Sequence, residues 1–439
     1  VKIAGWGRYP VVEGREILSE DLEASTRSAR LSRGLGRAYG DSALPPSPGE
    51  TLAGTRLADR LLAFDASSGV LRAEAGLSLA QLHDLFLARG WSSPVAPGTE
   101  SVTLGGMAAA DVHGKNHHRS GSFGEHLRAL RMRLADGRLL EVSEESEPEL
   151  FRATLGGMGL TGHILEVELA LERIPSPWIW EENERAANID ELIAKLSEAS
   201  AAWPFTMAWV DCLARGRAMG RGIISKGRWA DPAQAPAAPP RRPFSPTLPF
   251  DLPSWALAGW NMRIFNSVVY HSHARAKKHV MHPLRFFHLL DAVRHWNRAY
   301  GRRGMTQYQP VLPFDPSFAS YRRFFEVLTS SGEGSFLCVV KDFGAGGKGL
   351  LSFPMPGITV NVDLPVRGAR TQALVDRLNE VVIEAGGRVY LAKDAFTRPE
   401  HLRAMEGARL EAFQQARRKW DPEGRLASAQ SVRLLGDHA

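Results

Sequence analysis

Residues 97–118 read P-G-T-E-S-V-T-L-G-G-M-A-A-A-D-V-H-G-K-N-H-H. A Pro-Gly turn opens the stretch, and small residues then crowd together at Thr99, Thr103, Gly105, Gly106, Ala108, Ala109 and Ala110. Small side chains let a backbone approach a ligand closely, and glycines and threonines ahead of an Ala-rich helical turn can present N–H groups to an anion such as a diphosphate. His113, Lys115, Asn116, His117 and His118 follow at once, placing proton-transfer and hydrogen-bonding groups beside that anion site. One loop could therefore hold a cofactor's phosphates and reach its reactive end.

Outward from this loop, the first third of the chain predicts a strand-rich unit. Upstream, A-R-L-S-R-G-L-G-R-A-Y-G-D places Gly34, Gly36 and Gly40 in a turn after a brief strand, a second phosphate-cradling loop. Its G-x-G-x-x-x-G spacing lacks the helix of a Rossmann fingerprint, because Pro45, Pro46 and Pro48 follow. Residues 1–10 read as a loop, and a helix is expected from Ser19 to Arg30. Residues 61–66 and 70–75 form an expected hairpin, Ser78 starts a helix ended by Gly90, and Ala135-Asp136-Gly137 joins another hairpin. A short helix near Pro148 and the strand H-I-L-E-V-E-L-A-L complete the unit, and Pro175 and Pro177 mark a boundary.

The middle unit alternates helices and strands up to residue 387. Between Asp231 and Pro253 eight of 23 residues are proline, which excludes a regular helix and predicts a mobile loop over about residues 231–260. Phe244, Phe250, Trp255, Trp260 and Phe265 follow in the manner of a membrane–water interface. G-A-G-G-K-G at 344–349 lacks the spacing of a P-loop and reads as a turn. The strand R-V-Y-L-A-K-D and two closing helices are expected at the end.

The formal net charge is +6, but residues 215–303 carry sixteen Lys or Arg against Asp231, Asp251 and Asp291, so the remainder is net acidic. Such an excess suits an anionic partner, nucleic acid or a lipid surface. No helix-turn-helix, zinc or RNA-recognition pattern accompanies it, so nucleic acid is not expected. Two cysteines, Cys212 and Cys338, form no disulfide framework. Six histidines fall between His271 and His295, but Asp291 is the one acid there among many cations, so no metal is expected. A metallohydrolase built on His113 and His117 is a further alternative. Neither a spanning helix nor a signal peptide is visible.

R-G-L-G-R-A-Y-G-D, P-G-T-x-x-V-T-L-G-G, D-V-H-G-K-N-H-H, W-N-R-A-Y-G, Q-Y-Q, S-F-P-M-P-G and Y-L-A-K-D occur in that order. This succession resembles the decaprenylphosphoryl-β-D-ribose 2′-oxidases, within the vanillyl-alcohol-oxidase-like (PCMH-type) FAD-linked oxidases, over nearly the whole chain. The resemblance implies an α+β fold: an FAD domain from residues 1–176 and 388–439, and a substrate domain on an antiparallel sheet at 177–387. It implies FAD contacts from Trp6, Arg33, Gly34, Leu35, Gly36, Arg37, Tyr39 and Gly40, and from Pro97, Gly98, Thr99, Val102, Thr103, Gly105, Gly106 and Ala109. Asp111, His113, Gly114, Asn116, Ile164, Tyr390 and Lys393 complete that set. Arg37 stands where many relatives tether flavin through a histidine, which implies non-covalent FAD unless His113 forms the bond.

The implied activity is oxidation of the C2 hydroxyl of a polyprenyl-phosphoryl ribose, the first half of an epimerisation to the arabinose donor used in cell-wall synthesis. Lys393 or His113 would be the base, and Lys115, Trp209, Gln307, Gln309, Lys341, Phe343, Thr359 and Asn361 would line the substrate side. Implied partners are a separate NAD(P)H-dependent short-chain reductase, a quinone-type electron acceptor and a peripheral contact with the inner membrane. The cytoplasmic face is expected, and the periplasmic face is the alternative. Some relatives carry a cysteine at Asn361, so an electrophile that captures that thiol should not bond here. A soluble sugar-alcohol or aldonolactone oxidase is the alternative within the fold.

Overall fold

The computed structural model describes residues 1–257, 259–273 and 276–438. Two sheets build the first third. Strands Arg15–Leu18, Thr51–Gly54 and Leu31–Arg33 form a small parallel sheet in the order first, third, second along the chain. Beside it lies a five-stranded antiparallel sheet ordered Leu139–Val142, Leu127–Arg133, His163–Ala170, Val70–Glu74 and Leu61–Asp65. Both expected hairpins are present. Helix Leu79–Phe86 starts at a Ser78–Gln81 capping box and buries Leu79, Leu82 and Phe86 against this sheet's core.

A nine-stranded antiparallel sheet forms the middle of the molecule. Its functional part is Cys338–Phe343, Gly357–Pro365, Met305–Tyr308 and Pro310–Pro313, with helices Ile189–Ala202, Ala319–Ser331 and Ala369–Glu384 supplying core on its other face. The chain then returns to the first third. Helices Pro399–Glu406 and Ala408–Trp420 bury Leu402 and Phe413 in one cluster with Leu31, Leu52 and Ala153.

The structure departs from the sequence reading at five places. Residues Lys2–Ala4 are a strand paired with Val11–Glu13, not a loop. The helix expected from Ser19 to Arg30 shrinks to Leu22–Ser25, because the hydroxyls of Ser25 and Thr26 turn back onto the Leu22 carbonyl and offer the backbone another partner. A third closing helix, Ala429–Leu435, follows its own Ser428 capping box. The loop expected over residues 231–260 ends earlier: 231–253 has no regular structure, with Leu248 N–H donating to the Arg294 carbonyl (2.9 Å), Arg242 paired with Asp84 (2.9 Å) and Asp251 with Arg8, and the 3₁₀ turn Ser254–Leu257 and helix Gly259–Ser272 follow. Y-L-A-K-D is a turn rather than a strand. Only Arg388–Val389 pairs, and after Tyr390 N–H donates to the Gln309 carbonyl (2.9 Å) the chain coils so that Lys393 N–H reaches the Tyr390 carbonyl (3.0 Å).

Candidate active site

The two glycine loops and the nine-stranded sheet enclose a cleft of about 1420 Å³, its open mouth included. Its floor is the first glycine loop, where the N–H groups of Leu35, Gly36, Arg37 and Ala38 donate to no group among the described residues. Gly36 has φ +64°, the left-handed conformation that lets consecutive N–H groups converge on an anion.

The central loop acts differently from the sequence expectation. Leu104 N–H donates to Leu77, Gly105 N–H to Ala75, and Gly106 N–H to the Thr103 hydroxyl. The start of helix Leu104–Ala109 is therefore saturated by protein; Gly105 serves packing, while Gly106 is exposed on the cleft wall. A Cβ on Gly105 would lie 2.7 Å from the Ala75 Cβ, and one on Gly34 would lie 2.4 Å from the Thr103 hydroxyl. Gly98 is the exception, since a Cβ there would meet no atom within 4 Å and would stand in the cleft.

At the other end of the cleft, strand periodicity of two sets the chemistry. Gln307 and Gln309 project from one face, and Gln307 is directly opposite Asp363 on Gly357–Pro365, as Lys341 is opposite Thr359. Gln309 donates from Nε2 to His113 Nε2 (2.9 Å) and to the Thr359 hydroxyl (3.2 Å). Because the His113 Nε2 accepts, its proton sits on Nδ1, which has no partner among the described residues. The ring is enclosed by Phe343, Phe353 and Tyr390 at centroid distances of 4.8, 5.4 and 4.9 Å. Burial, then the charges of Lys341, His117 and Lys393, hold its pKa well below the usual histidine range, so the imidazole is neutral.

Lys393 places its Nζ 3.9 Å from the Tyr39 ring centroid. Desolvation lowers its pKa to about 7, with Asp363 opposing and Lys341 adding to the fall. Burial likewise lowers Lys341 to about 8. Beneath them Asp363 accepts from Gln307 Nε2 (2.5 Å) and from the Tyr300 hydroxyl (3.0 Å), and burial raises its pKa to about 7. Three polar atoms at this end, His113 Nδ1, Gln307 Oε1 and Asn361 Oδ1, have no hydrogen-bond partner among the described residues. They mark where a ligand's polar groups fit.

Most of the expected residues line the cleft, but ten do not. Trp6 lies behind Arg37, whose guanidinium stacks on it at 3.9 Å. Arg33 spends its guanidinium on the carbonyls of Ala43 and Ala4. Gly40 and Gly114 face the backbones of Asp394 and Ala96, so they are glycines for packing. Asp111 accepts from Ser352 and Gly124, and Asn116 donates to the Pro94 carbonyl. Lys115 donates to the Phe287 carbonyl (2.5 Å), and Trp209 to that of Phe336 (2.9 Å). Phe343 and Thr359 support His113 and Gln309 from behind.

The sequence reading missed Ser32, Ser42, Met158, Gly159, Gly162 and Leu290 on the walls, and Asp363 beneath. The G-G-M-G-L-T-G run was visible at 156–162, and Asp363 follows Asn361 at the strand period, but only the fold turns either toward the cleft. It also missed Arg433, which bridges Asp41 and Asp394 (each 2.8 Å) and so ties together the loops bearing Tyr39 and Lys393. Away from the cleft, His83, Glu100 and His288 bring one ligand atom each within 4.8 Å of one another, and Arg242 already pairs with that carboxylate.

The model of the FAD binding domain family matches residues 22–143. Over 99% of its length the chain is 34% identical to decaprenylphosphoryl-β-D-ribose oxidase of Mycolicibacterium smegmatis, covering 97% of that protein. The chain belongs to the decaprenylphosphoryl-β-D-ribose oxidase family. It is thus an FAD-dependent oxidoreductase with the α+β, PCMH-type fold. An uncharacterized protein of Streptomyces coelicolor is 35% identical over 82% of this chain and all of its own length. A D-arabinono-1,4-lactone oxidase of Neurospora crassa is 32% identical over 25% of this chain and 19% of its own. In this oxidase family member, the unpaired N–H groups of the first loop and the open position at Gly98 fit the diphosphate of FAD, and His113, Gln307, Lys341, Asn361 and Lys393 line the other end of the same cleft.

Proposed function

We propose that the protein oxidises the C2 hydroxyl of a polyprenyl-phosphoryl-β-D-ribose to the 2-keto sugar. FAD, when bound, supplies the hydride acceptor for the sugar C2 carbon. The observation that carries the reading is Lys393, a cleft lysine with its pKa near 7, so a large neutral fraction is ready to take the hydroxyl proton at physiological pH. His113 is the weaker base, since its Nε2 lone pair is engaged by Gln309; it orients that amide. Gln307 and Asn361 offer hydrogen bonds to the sugar. The charge of Lys341 suits the phosphate.

FAD is held without a covalent bond in this reading, because Arg37 occupies the position of the tethering histidine and stacks on Trp6. Residues 1–176 and 388–439 form the cofactor domain and 177–387 the substrate domain. A 2-keto product requires a second, NAD(P)H-dependent reductase to complete an epimerisation, and a quinone-type acceptor reoxidises the enzyme. Among the described residues no helix is long and apolar enough to cross a membrane, and the protein works at the inner membrane as a peripheral enzyme on its cytoplasmic side.

The test is anaerobic mixing of the FAD-loaded protein with farnesylphosphoryl-β-D-ribose. Bleaching of the flavin absorbance with formation of one keto sugar per flavin is expected. No bleaching with this substrate, alongside bleaching by a soluble aldonolactone, would overturn the reading. Acid precipitation should release all the flavin into the supernatant; flavin in the pellet would refute the non-covalent assignment.

A further inference from the structure

The segment that supplies Leu290 to the cleft wall also carries a surface rich in exposed aromatic side chains. Helix Gly259–Ser272 buries Met262 and Asn266, and Asn266 donates to Asp211 (3.0 Å), which fixes the inward side. The opposite arc carries Trp260, Ile264 and Val268, which are 64, 58 and 63% exposed. Asn261 donates to the Trp255 carbonyl (2.9 Å), joining this arc to the exposed ring of Trp255. From there the proline-rich strap, with Phe250 and Phe244 exposed at 63 and 83%, runs to its hydrogen bonds with Arg294. Four residues before Arg294, Leu290 is in the cleft wall. The strap therefore meets the segment that carries a residue of the cleft wall. Scattered exposed apolar side chains are ordinary, but a connected set of aromatics is a docking surface.

Charge decides what docks. Arg241, Arg263, Arg294, Arg302 and Arg303 are exposed on this segment and have no carboxylate within ion-pair distance among the described residues. The three carboxylates of the segment are already engaged: Asp231 by Arg228, Asp251 by Arg8, and Asp291 by Thr99 and the Glu100 N–H. A protruding aromatic and aliphatic face within unpaired guanidinium groups complements anionic headgroups above an acyl layer.

We propose that this face docks on an anionic lipid bilayer, with helix Gly259–Ser272 lying in the interface and the cleft mouth turned toward the headgroups. The proposal deepens the polyprenyl-phosphate reading, since a membrane-held substrate would then enter without leaving the lipid, but docking itself requires no substrate.

The experiment is flotation of the FAD-loaded protein with vesicles of equal parts phosphatidylglycerol and phosphatidylcholine, compared with phosphatidylcholine alone. Expected are at least about tenfold stronger binding to the anionic vesicles, loss of that advantage at high salt, and quenching of tryptophan emission by brominated lipid. The I264E/V268E variant changes only exposed positions. It should lose about tenfold or more of the binding, while flavin content and oxidation of farnesylphosphoryl ribose stay unchanged. The charge-only variant R263E/R302E should lose the preference for anionic over neutral lipid. Wild-type protein that stays with the protein fraction, or an I264E/V268E variant that floats like wild type, would overturn the proposal. So would equal retention on a single-stranded oligonucleotide at the same salt. Vesicle binding without oxidation of the ribose would sink the substrate reading alone, and oxidation without vesicle binding would sink the docking alone.

Discussion

Replacing Lys393 by Met should stabilise the fold and remove activity together. The fall of the Lys393 pKa from 10.5 to about 7 corresponds to about 5 kcal/mol of unfavourable burial. This is an upper bound, because the side chain is only partly buried and retains some hydration at the cleft wall. The sign follows from linkage. The folded pKa lies below the unfolded one, so between about pH 7 and 10.5 the unfolded chain binds the extra proton and this residue's cost falls as pH rises. At pH 7 and below the cost is present in full. An apo K393M protein should therefore melt higher than wild type at pH 6–7, by several degrees on the scale of about 2 °C per kcal/mol for a large domain, with the difference vanishing toward pH 10. Reduction of flavin by substrate, followed by anaerobic stopped-flow, should fall about 10²–10⁴-fold in K393M. In wild type the rate should climb with pH through an apparent pKa near 7, where an ordinary lysine would be neutral in only about one molecule in 3000. A wild-type profile still rising above about pH 9, or a K393M rate within tenfold of wild type, would refute the assignment of Lys393 as the base.

Gly98→Val should leave the apoprotein's melting temperature nearly unchanged, since no protein atom lies within 4 Å of the new Cβ, yet weaken FAD binding at least about tenfold in a fluorescence titration. Tight FAD binding by that variant would show that the cofactor does not pass this turn. Arg433→Met leaves Asp41 and Asp394, both nearly buried, without their shared cation. Chemical denaturation should report a loss of about 3–5 kcal/mol, and a loss under about 1 kcal/mol would mean the two loops do not depend on it. Asn361 faces the cleft and neither cysteine does, as both are buried elsewhere. Intact-protein mass spectrometry should therefore detect no adduct from a thiol-capturing electrophile on wild type and one adduct on N361C, and an adduct on wild type would overturn this.

Patterns that close within a few residues were legible without coordinates. The Ser78 capping box, the two hairpins and the glycine loops each depend on hydrogen bonds or backbone angles that neighbouring residues set. The ordered set of motifs was enough to imply the cofactor and the fold, and the comparisons agree. What each motif does within the site was not legible in the same way. The Leu104–Ala109 helix looks like an anion site in one dimension, and only the approach of Leu77 and Ala75 shows its N–H groups to be taken. Lys393 looks like a strand residue until the Gln309 carbonyl ends the pairing and the chain coils. Asp363 and Arg433 act across 56 and 392 residues of sequence, on Gln307 and Asp41. Sequence by itself determined the local elements and the family, because both are written in short runs of residues. The tertiary structure decided which polar groups remain unpaired and which lysine loses its hydration, because pairing and burial are set by residues far apart in the chain.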